Sequence, residues 1–145
     1  MNKKRVLVLL AVLLVAGLSL APAVAADADE GLASLKARGD GVAALQGDGW
    51  LRVSGNGILW VKGAEYVAVQ GQGIRKEFPD GWSEYVGFHG TARILGRNVS
   101  VVMAGEKIDL YATGSGRAVL WGHGHYEKGG DTTIPWAGLA DIISY

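Results

Sequence analysis

Hydrophobic and polar residues alternate in short runs along most of this chain, and glycines separate the runs at nearly constant intervals. The same alternate positions are apolar in consecutive runs: Leu51 and Val53, Leu59 and Val61, Val67 and Val69. The residues between them, such as Arg52, Trp60 and Ala68, would point to the opposite face of a strand. The pattern therefore predicts short β-strands that each bury one face.

The glycine spacing defines a repeat of eight or nine residues that covers residues 39–129. No stretch after Gly39 has helical periodicity, so we predict an all-β fold. A short β-solenoid (β-helix) is favoured, because glycine recurs at the same end of nearly every unit, as stacked corners require. An antiparallel β-sandwich or barrel is the alternative. The series is Gly39, Gly47, Gly55, Gly63 and Gly71, then Pro79, then Gly87, Gly96, Gly105, Gly114 and Gly122.

Residues 1–26 have the order of regions found in an export signal. Basic residues at positions 3–5 precede the charge-free segment Val6–Leu20, and small residues follow Pro22. We predict a signal peptide cleaved after Ala25 or Ala26, and hence a periplasmic, extracellular or cell-surface protein. The alternative is an uncleaved anchor, the one route by which we expect contact with a membrane, because residues 6–26 are long enough to span a bilayer.

The remaining boundaries follow from where the repeat begins and ends. Residues 27–38 are predicted to be a spacer or an N-terminal cap, and residues 39–129 form the glycine-repeat β domain. Residues 130–145 leave the repeat but keep large apolar side chains, among them Ile134, Trp136 and Ile143. We predict that this tail caps an open β edge or mediates self-association.

Length and composition exclude several classes of function. The chain has 145 residues, which is typical of one domain, and it has no cysteine. Disulfides, thiolate metal sites and a lipidated N-terminal cysteine are therefore excluded. Removal of the signal peptide leaves 11 basic and 14 acidic residues, a net charge of −3. A mildly acidic chain without a basic stripe argues against nucleic-acid binding.

The repeat deteriorates between Gly71 and Val86, where charged and aromatic residues replace the alternation. A turn is predicted at residues 79–81, Pro-Asp-Gly. Exposed aromatic and charged side chains there would suit a glycan or a protein ligand. The alternative is that the aromatic residues pack in the core and the charges form a solvated edge. The candidate binding residues are Arg75, Lys76, Glu77, Phe78, Trp82, Glu84, Tyr85 and Phe88.

Two histidines form the sharpest local motif. His123 and His125 would face the same side of a strand, and His89 is a candidate third metal ligand. The alternative is that these are solvated turn residues. Asp40 and Asp48 recur in adjacent Gly-Asp-Gly turns, which is too few carboxylates for a calcium ladder. No catalytic motif is present, so we expect neither an enzyme nor a cofactor.

The segments GDGWLRVSGNGILWVKG and GSGRAVLWGHG, behind a signal peptide, resemble the β-helical repeats of bacterial secreted head-domain (GIN-type) putative adhesins. This resemblance implies an envelope or extracellular binding module without catalytic residues. We therefore expect a module that binds an envelope glycan or protein. The alternatives are a structural or self-assembling element that uses the Trp60 face and the tail, and a small metal-binding protein.

Overall fold

The computed structural model describes residues 33–137 and 141–145, so the predicted signal peptide and residues 27–32 lie outside it. The described residues form strands without any helix, which confirms the all-β class. Among them, no helix is long and apolar enough to cross a bilayer. The strands are β1 (Ser34–Lys62), β2 (Tyr66–Glu77), β3 (Trp82–Lys128), β4 (Ile134–Ala137) and β5 (Asp141–Ser144).

The long strands are coiled, as the pairing of a single residue demonstrates. Ala104 pairs with Val42 on one side and with Ile58 on the other. Val42 and Ile58 are therefore two strand spacings apart, about 10 Å, whereas sixteen residues of straight strand would span about 53 Å. The chain thus completes one coil in sixteen residues, and the eight-residue unit of the sequence is half a coil.

Every ladder between the described strands is antiparallel. β1 and β2 form the outgoing arm of a long hairpin, and β3 returns between their coils, so that the two arms alternate across each layer. This arrangement fits the antiparallel sandwich that was the alternative prediction. The described residues do not form a solenoid in which parallel coils of one chain stack directly on each other, because the returning arm separates the coils.

Successive half-coils lie in two layers. Layer 1 has β5 at its edge and contains residues 41–47, 57–62, 74–77, 82–87, 99–105 and 116–122. Layer 2 has β4 at its edge and contains residues 34–39, 49–55, 66–71, 89–96, 108–114 and 124–128. The main core lies between the layers and includes Leu45 and Val101 from layer 1 and Leu51 and Leu110 from layer 2. The alternation detected in the sequence supplies these inward positions.

A second, smaller hydrophobic cluster lies on the outer face of layer 1. Trp60 faces outward, as its position opposite to Leu59 and Val61 predicts, and packs against this cluster together with Trp121. The large indole rings cover the smaller side chains beside them, and the valines on this outer face are therefore buried. The buried members of the cluster are Val42, Ala44, Trp82, Val102 and Val119.

Glycine is required at the corners where the chain passes from one layer to the other. Gly49 lies opposite Gly114, and Gly57 lies opposite Gly105. A Cβ atom at any of these four positions would lie closer than 3.0 Å to a carbonyl oxygen of the facing strand. Two neighbouring strands can bend together at these points only because the facing residues are both glycines without a side chain.

The nine-residue spacing of the returning arm arises from β-bulges at the corners. Gly87, Asn98 and Lys107 are the extra residues of its three nine-residue intervals, with φ values of 67°, 53° and 53°. The carboxylate of Asp48 accepts a hydrogen bond from the amide of Asn98 at 2.6 Å, and that of Asp40 accepts one from Lys107 at 2.7 Å. The two aspartates that recur in the sequence therefore hold the bulges of the neighbouring arm.

Both ends of the described chain contribute to the core. Leu35 and Ala37 continue the alternation and are buried, so residues 34–38 of the predicted spacer or cap form the first residues of β1. In the C-terminal segment, Trp136 is buried between the layers, and Ile143 packs in the same core. β4 and β5 each pair with β3 along an otherwise open edge, which is the position that a cap would occupy.

We expect Gly47→Ala to destabilise the fold more than Gly129→Ala. A Cβ at Gly47 would collide with the carbonyl oxygen of Ser115, whereas a Cβ at Gly129 meets nothing within 4 Å and has only the cost of a positive φ. The expected loss is about 3 kcal/mol for Gly47→Ala and about 1 kcal/mol for Gly129→Ala. Urea unfolding of both variants measures the difference. Equal losses would mean that close approach at the corners does not limit stability.

We expect alkaline pH to destabilise the protein partly through Tyr145. Burial raises the pKa of its phenol above the ordinary value of 10.0. The stabilising effect of the neutral phenol is complete below about pH 10 and is lost as the pH rises toward the folded-state pKa. Tyr145→Phe cannot ionise, so its melting temperature should fall less between pH 10 and 12 than that of the wild type. Parallel decreases in the two melting temperatures would contradict this assignment.

Candidate functional site

The charged and aromatic segment predicted as a binding site is the tip of the hairpin. The amide of Phe78 donates to the carbonyl of Trp82 at 2.9 Å, and the amide of Gly81 donates to the carbonyl of Phe78 at 3.0 Å. Asp80 also accepts a hydrogen bond from the amide of Trp82 at 3.3 Å. The predicted turn is present, and the repeat deteriorates here because the chain reverses direction.

Three aromatic residues of this segment pack inside the protein. Tyr85 and Phe88 belong to the main core, and Phe88 is only 1% exposed. Trp82 is buried in the outer cluster of layer 1, where it meets Trp60 edge to face at 6.2 Å. The alternative prediction of aromatic packing therefore describes these positions, and their rings are not accessible for stacking on a ligand.

The remaining candidates of the segment lie on β2 and the facing part of β3. Arg75 and Glu77 are exposed and form an ion pair at 2.6 Å, and the Arg75 guanidinium lies 6.0 Å from the centre of the Tyr85 ring. Lys76 lies opposite the half-buried Glu84. Phe78 is 39% exposed and stacks on Trp60 at 5.3 Å. These contacts fix the side chains along an edge rather than on a projecting loop.

The structure separates the three histidines. His123 lies at a corner, with Nε2 3.5 Å from an Asp40 carboxylate oxygen, and His125 faces the outer surface of layer 2 opposite Arg38. His89 lies on the same corner line as His123 but four strand spacings away, about 19 Å. His89 thus cannot join the other two around one ion. No cluster of three or more metal-ligating side chains occurs among the described residues.

The outer face of layer 2 brings together side chains that the sequence analysis did not single out as a site. Arg93 lies opposite Arg52, Arg52 opposite Tyr111, and Tyr111 opposite Lys36. These four residues form one row across four neighbouring strands, and the outward parity of their strands places them on the same face. We call this surface the platform, defined by Lys36, Arg38, Trp50, Arg52, Arg93, Asp109 and Tyr111.

Contacts within the platform hold its side chains in place. Asp109 lies 3.1 Å from the Arg38 guanidinium and 3.8 Å from that of Arg52, so one carboxylate bridges two arginines. Trp50 meets Tyr111 edge to face at 5.8 Å, and both rings are half-buried. Lys36 places its ammonium 5.9 Å from the centre of the Tyr111 ring. The platform therefore presents fixed aromatic surface beside cationic groups.

The row of the platform continues into a groove near the edge of layer 2. Lys36 lies opposite Glu127, and Arg38 lies opposite His125. These four side chains line the groove. Together with the platform they form an open, elongated surface, a shape that accommodates an extended ligand better than a small enclosed molecule.

Sequence reasoning missed the platform because its signal is divided between distant segments. Alternation with Leu51 and Val53 places Arg52 on an outer face, and the same argument applies to Arg93, which lies between the buried Ala92 and Ile94. The contact between the two arginines depends on the pairing register of the two arms. The glycine spacing alone did not give this register.

No protein-family model, curated protein or solved structure matches this chain. The assignment of function therefore depends on the chemistry of the surfaces described above.

We expect Phe88→Ala to unfold the protein rather than to remove a ligand contact. Deletion of a fully buried phenyl ring costs about 3 to 5 kcal/mol. Lys76 is an exposed residue of the same hairpin. Lys76→Ala should therefore change the free energy of unfolding by less than about 0.5 kcal/mol. Chemical denaturation followed by tryptophan fluorescence measures both. A Phe88→Ala protein as stable as Lys76→Ala would show that the ring is not part of the core.

Proposed function

We propose that this protein is an exported, non-catalytic binding module that holds an acidic glycan of the cell envelope on its platform. The observation that carries the proposal is the row of Arg93, Arg52, Tyr111 and Lys36 across four adjacent strands. Export rests on the predicted signal peptide. The resemblance to GIN-type putative adhesins favours the same location and class of function.

The charge of the platform favours an anionic ligand. With the adjoining groove it contains four basic residues, Lys36, Arg38, Arg52 and Arg93, and two acidic residues, Asp109 and Glu127, a local net charge of +2. The chain without its signal peptide has a net charge of −3, so this surface is positive although the chain as a whole is negative. Guanidinium groups bind carboxylates through two parallel hydrogen bonds, a geometry that lysine cannot supply.

The aromatic residues favour a glycan among anionic ligands. Sugar rings present apolar C–H faces beside their hydroxyl groups, and half-buried aromatic rings offer a rigid surface for those faces. Tyr111 lies in the row of basic residues, and Trp50 lies next to it. A chain of uronic acids laid across the strands would therefore contact aromatic rings and guanidinium groups together. Strands spaced at about 4.8 Å give this row the regularity that a repeating polymer needs.

Binding of a uronic acid polymer tests the proposal. Affinity electrophoresis and calorimetry of the purified protein with polygalacturonate should show binding that weakens as salt rises, because ion pairs are screened. Dextran serves as the neutral polymer and should not bind. Failure of the wild type to bind polygalacturonate, or equal binding to dextran, would overturn the proposal.

Substitution of the arginines locates the site. Arg93→Gln should weaken polygalacturonate binding at least tenfold, which corresponds to the loss of one charged hydrogen bond, about 1.5 kcal/mol or more. Arg97→Gln is the matched control, because Arg97 is an exposed arginine of the same strand that lies at a corner outside the platform. Equal losses in the two variants would mean that binding follows overall charge, and would contradict a site on the platform.

A further inference from the structure

β2 is the last strand at one end of the sandwich. In the described part of the chain it pairs with β3 alone, and its other edge carries no strand. At the opposite end, β4 and β5 extend the two layers along β3. Among the described residues, short C-terminal segments therefore extend one end of the sandwich, whereas at the other end the outer edge of a twelve-residue strand is unpaired.

The composition of this edge favours pairing with another strand. An unpaired edge offers a row of backbone donors and acceptors, and proteins that remain monomeric usually protect such edges with charges, proline or bulges. Here residues 66–74 contain no charged residue and no proline, and the irregularity of the β2–β3 ladder between Gln72 and Ile74 has its extra residue on β3 rather than on β2. Tyr66, Ile74 and Phe78 are 57%, 68% and 39% exposed. The charged residues of the edge are confined to positions 75–77.

We propose that β2 pairs with β2 of a second copy of this chain, in antiparallel register centred on Gln72. In this register Tyr66 lies opposite Phe78 of the second copy, and the two exposed aromatic residues cover each other. Ile74 lies opposite Gln70, and Lys76 lies opposite Ala68. Residues of equal parity face each other, so outward side chains stay outward and inward side chains stay inward in both copies.

The corner glycines favour this register, and the charges exclude registers displaced toward the charged end of β2. Centring on Gln72 places Gly71 opposite Gly73 in both halves of the interface, which repeats the glycine-to-glycine pairing of the corners within the molecule. It also places the charged residues at 75–77 opposite Val69, Ala68 and Val67. Registers centred on Arg75, Lys76 or Glu77 would set identical charges against each other, which is destabilising.

The resulting dimer joins the two sandwiches end to end. Because β2 passes from layer 2 at residues 66–71 to layer 1 at residues 74–77, layer 2 of one copy continues into layer 1 of the other. The contact is isologous and closes on itself, so association stops at two copies and does not produce a fibre. The platform lies on an outer face and remains accessible in the dimer.

A single cysteine tests the register, because the chain has no cysteine of its own. Opposed residues in an antiparallel pair have Cα atoms about 4.5 to 5.5 Å apart, within the range that a disulfide requires. Gln72→Cys should therefore form a covalent dimer on mild oxidation. Ser115→Cys, in an exposed Gly-Ser-Gly corner, is the matched control and should stay monomeric on a non-reducing gel. Cross-linking of Gln72→Cys no greater than that of Ser115→Cys would overturn the register.

Light scattering on unmodified protein tests the interface without an introduced cysteine. The wild type should elute as a dimer, and Tyr66→Lys/Phe78→Lys as a folded monomer, because four lysines would face each other in pairs. Ile142→Lys changes a residue at the opposite edge that is more exposed than Tyr66 or Phe78, and this variant should remain dimeric. A monomeric wild type at high concentration, or dissociation caused equally by Ile142→Lys, would overturn the proposal.

Discussion

Close approach of backbone to backbone at the glycine corners is the constraint on which this structure depends. A strand must leave one layer and enter the other within about three residues while staying at hydrogen-bonding distance from its neighbour. Gly57 and Gly105 meet this requirement together, since a side chain on either would collide with a carbonyl oxygen of the other strand. The same contact recurs along the coil, so the spacing of the glycines sets the width of the sandwich.

The two arms of the hairpin pass from one layer to the other through different backbone conformations, and hydrogen bonds connect the two. The outgoing arm turns through Gly-Asp-Gly units, and the returning arm inserts an extra residue in a left-handed conformation. Each aspartate of the outgoing arm binds the amide of the extra residue on the returning arm. A turn residue and a bulge that are at least fifty positions apart thus form one local unit, and this explains why the repeat changes from eight to nine residues between the arms.

The same alternation that builds the core divides the surface into regions of different chemistry. Outward positions of layer 1 are mostly apolar and pack beneath Trp60 and Trp121. Outward positions of layer 2 include the charged and aromatic residues of the platform. The free edge of β2 is a third region, with backbone groups rather than side chains as its main feature. These regions do not overlap, so ligand binding on the platform and self-association through β2 are compatible in one molecule.

The sequence by itself determined the β class, the length of the half-coil, the inward positions and the turn at residues 79–81. These properties follow from the residues of one segment: alternation decides which face is buried, and glycine or proline decides where the chain turns. Only the tertiary structure decided that the coils belong to the two arms of a hairpin. It placed Tyr85 and Phe88 in the core and set Arg52 beside Arg93. The reason is physical, since the register between distant segments depends on how glycines, bulges and core side chains of both arms fit at once, and a single arm carries only half of that information.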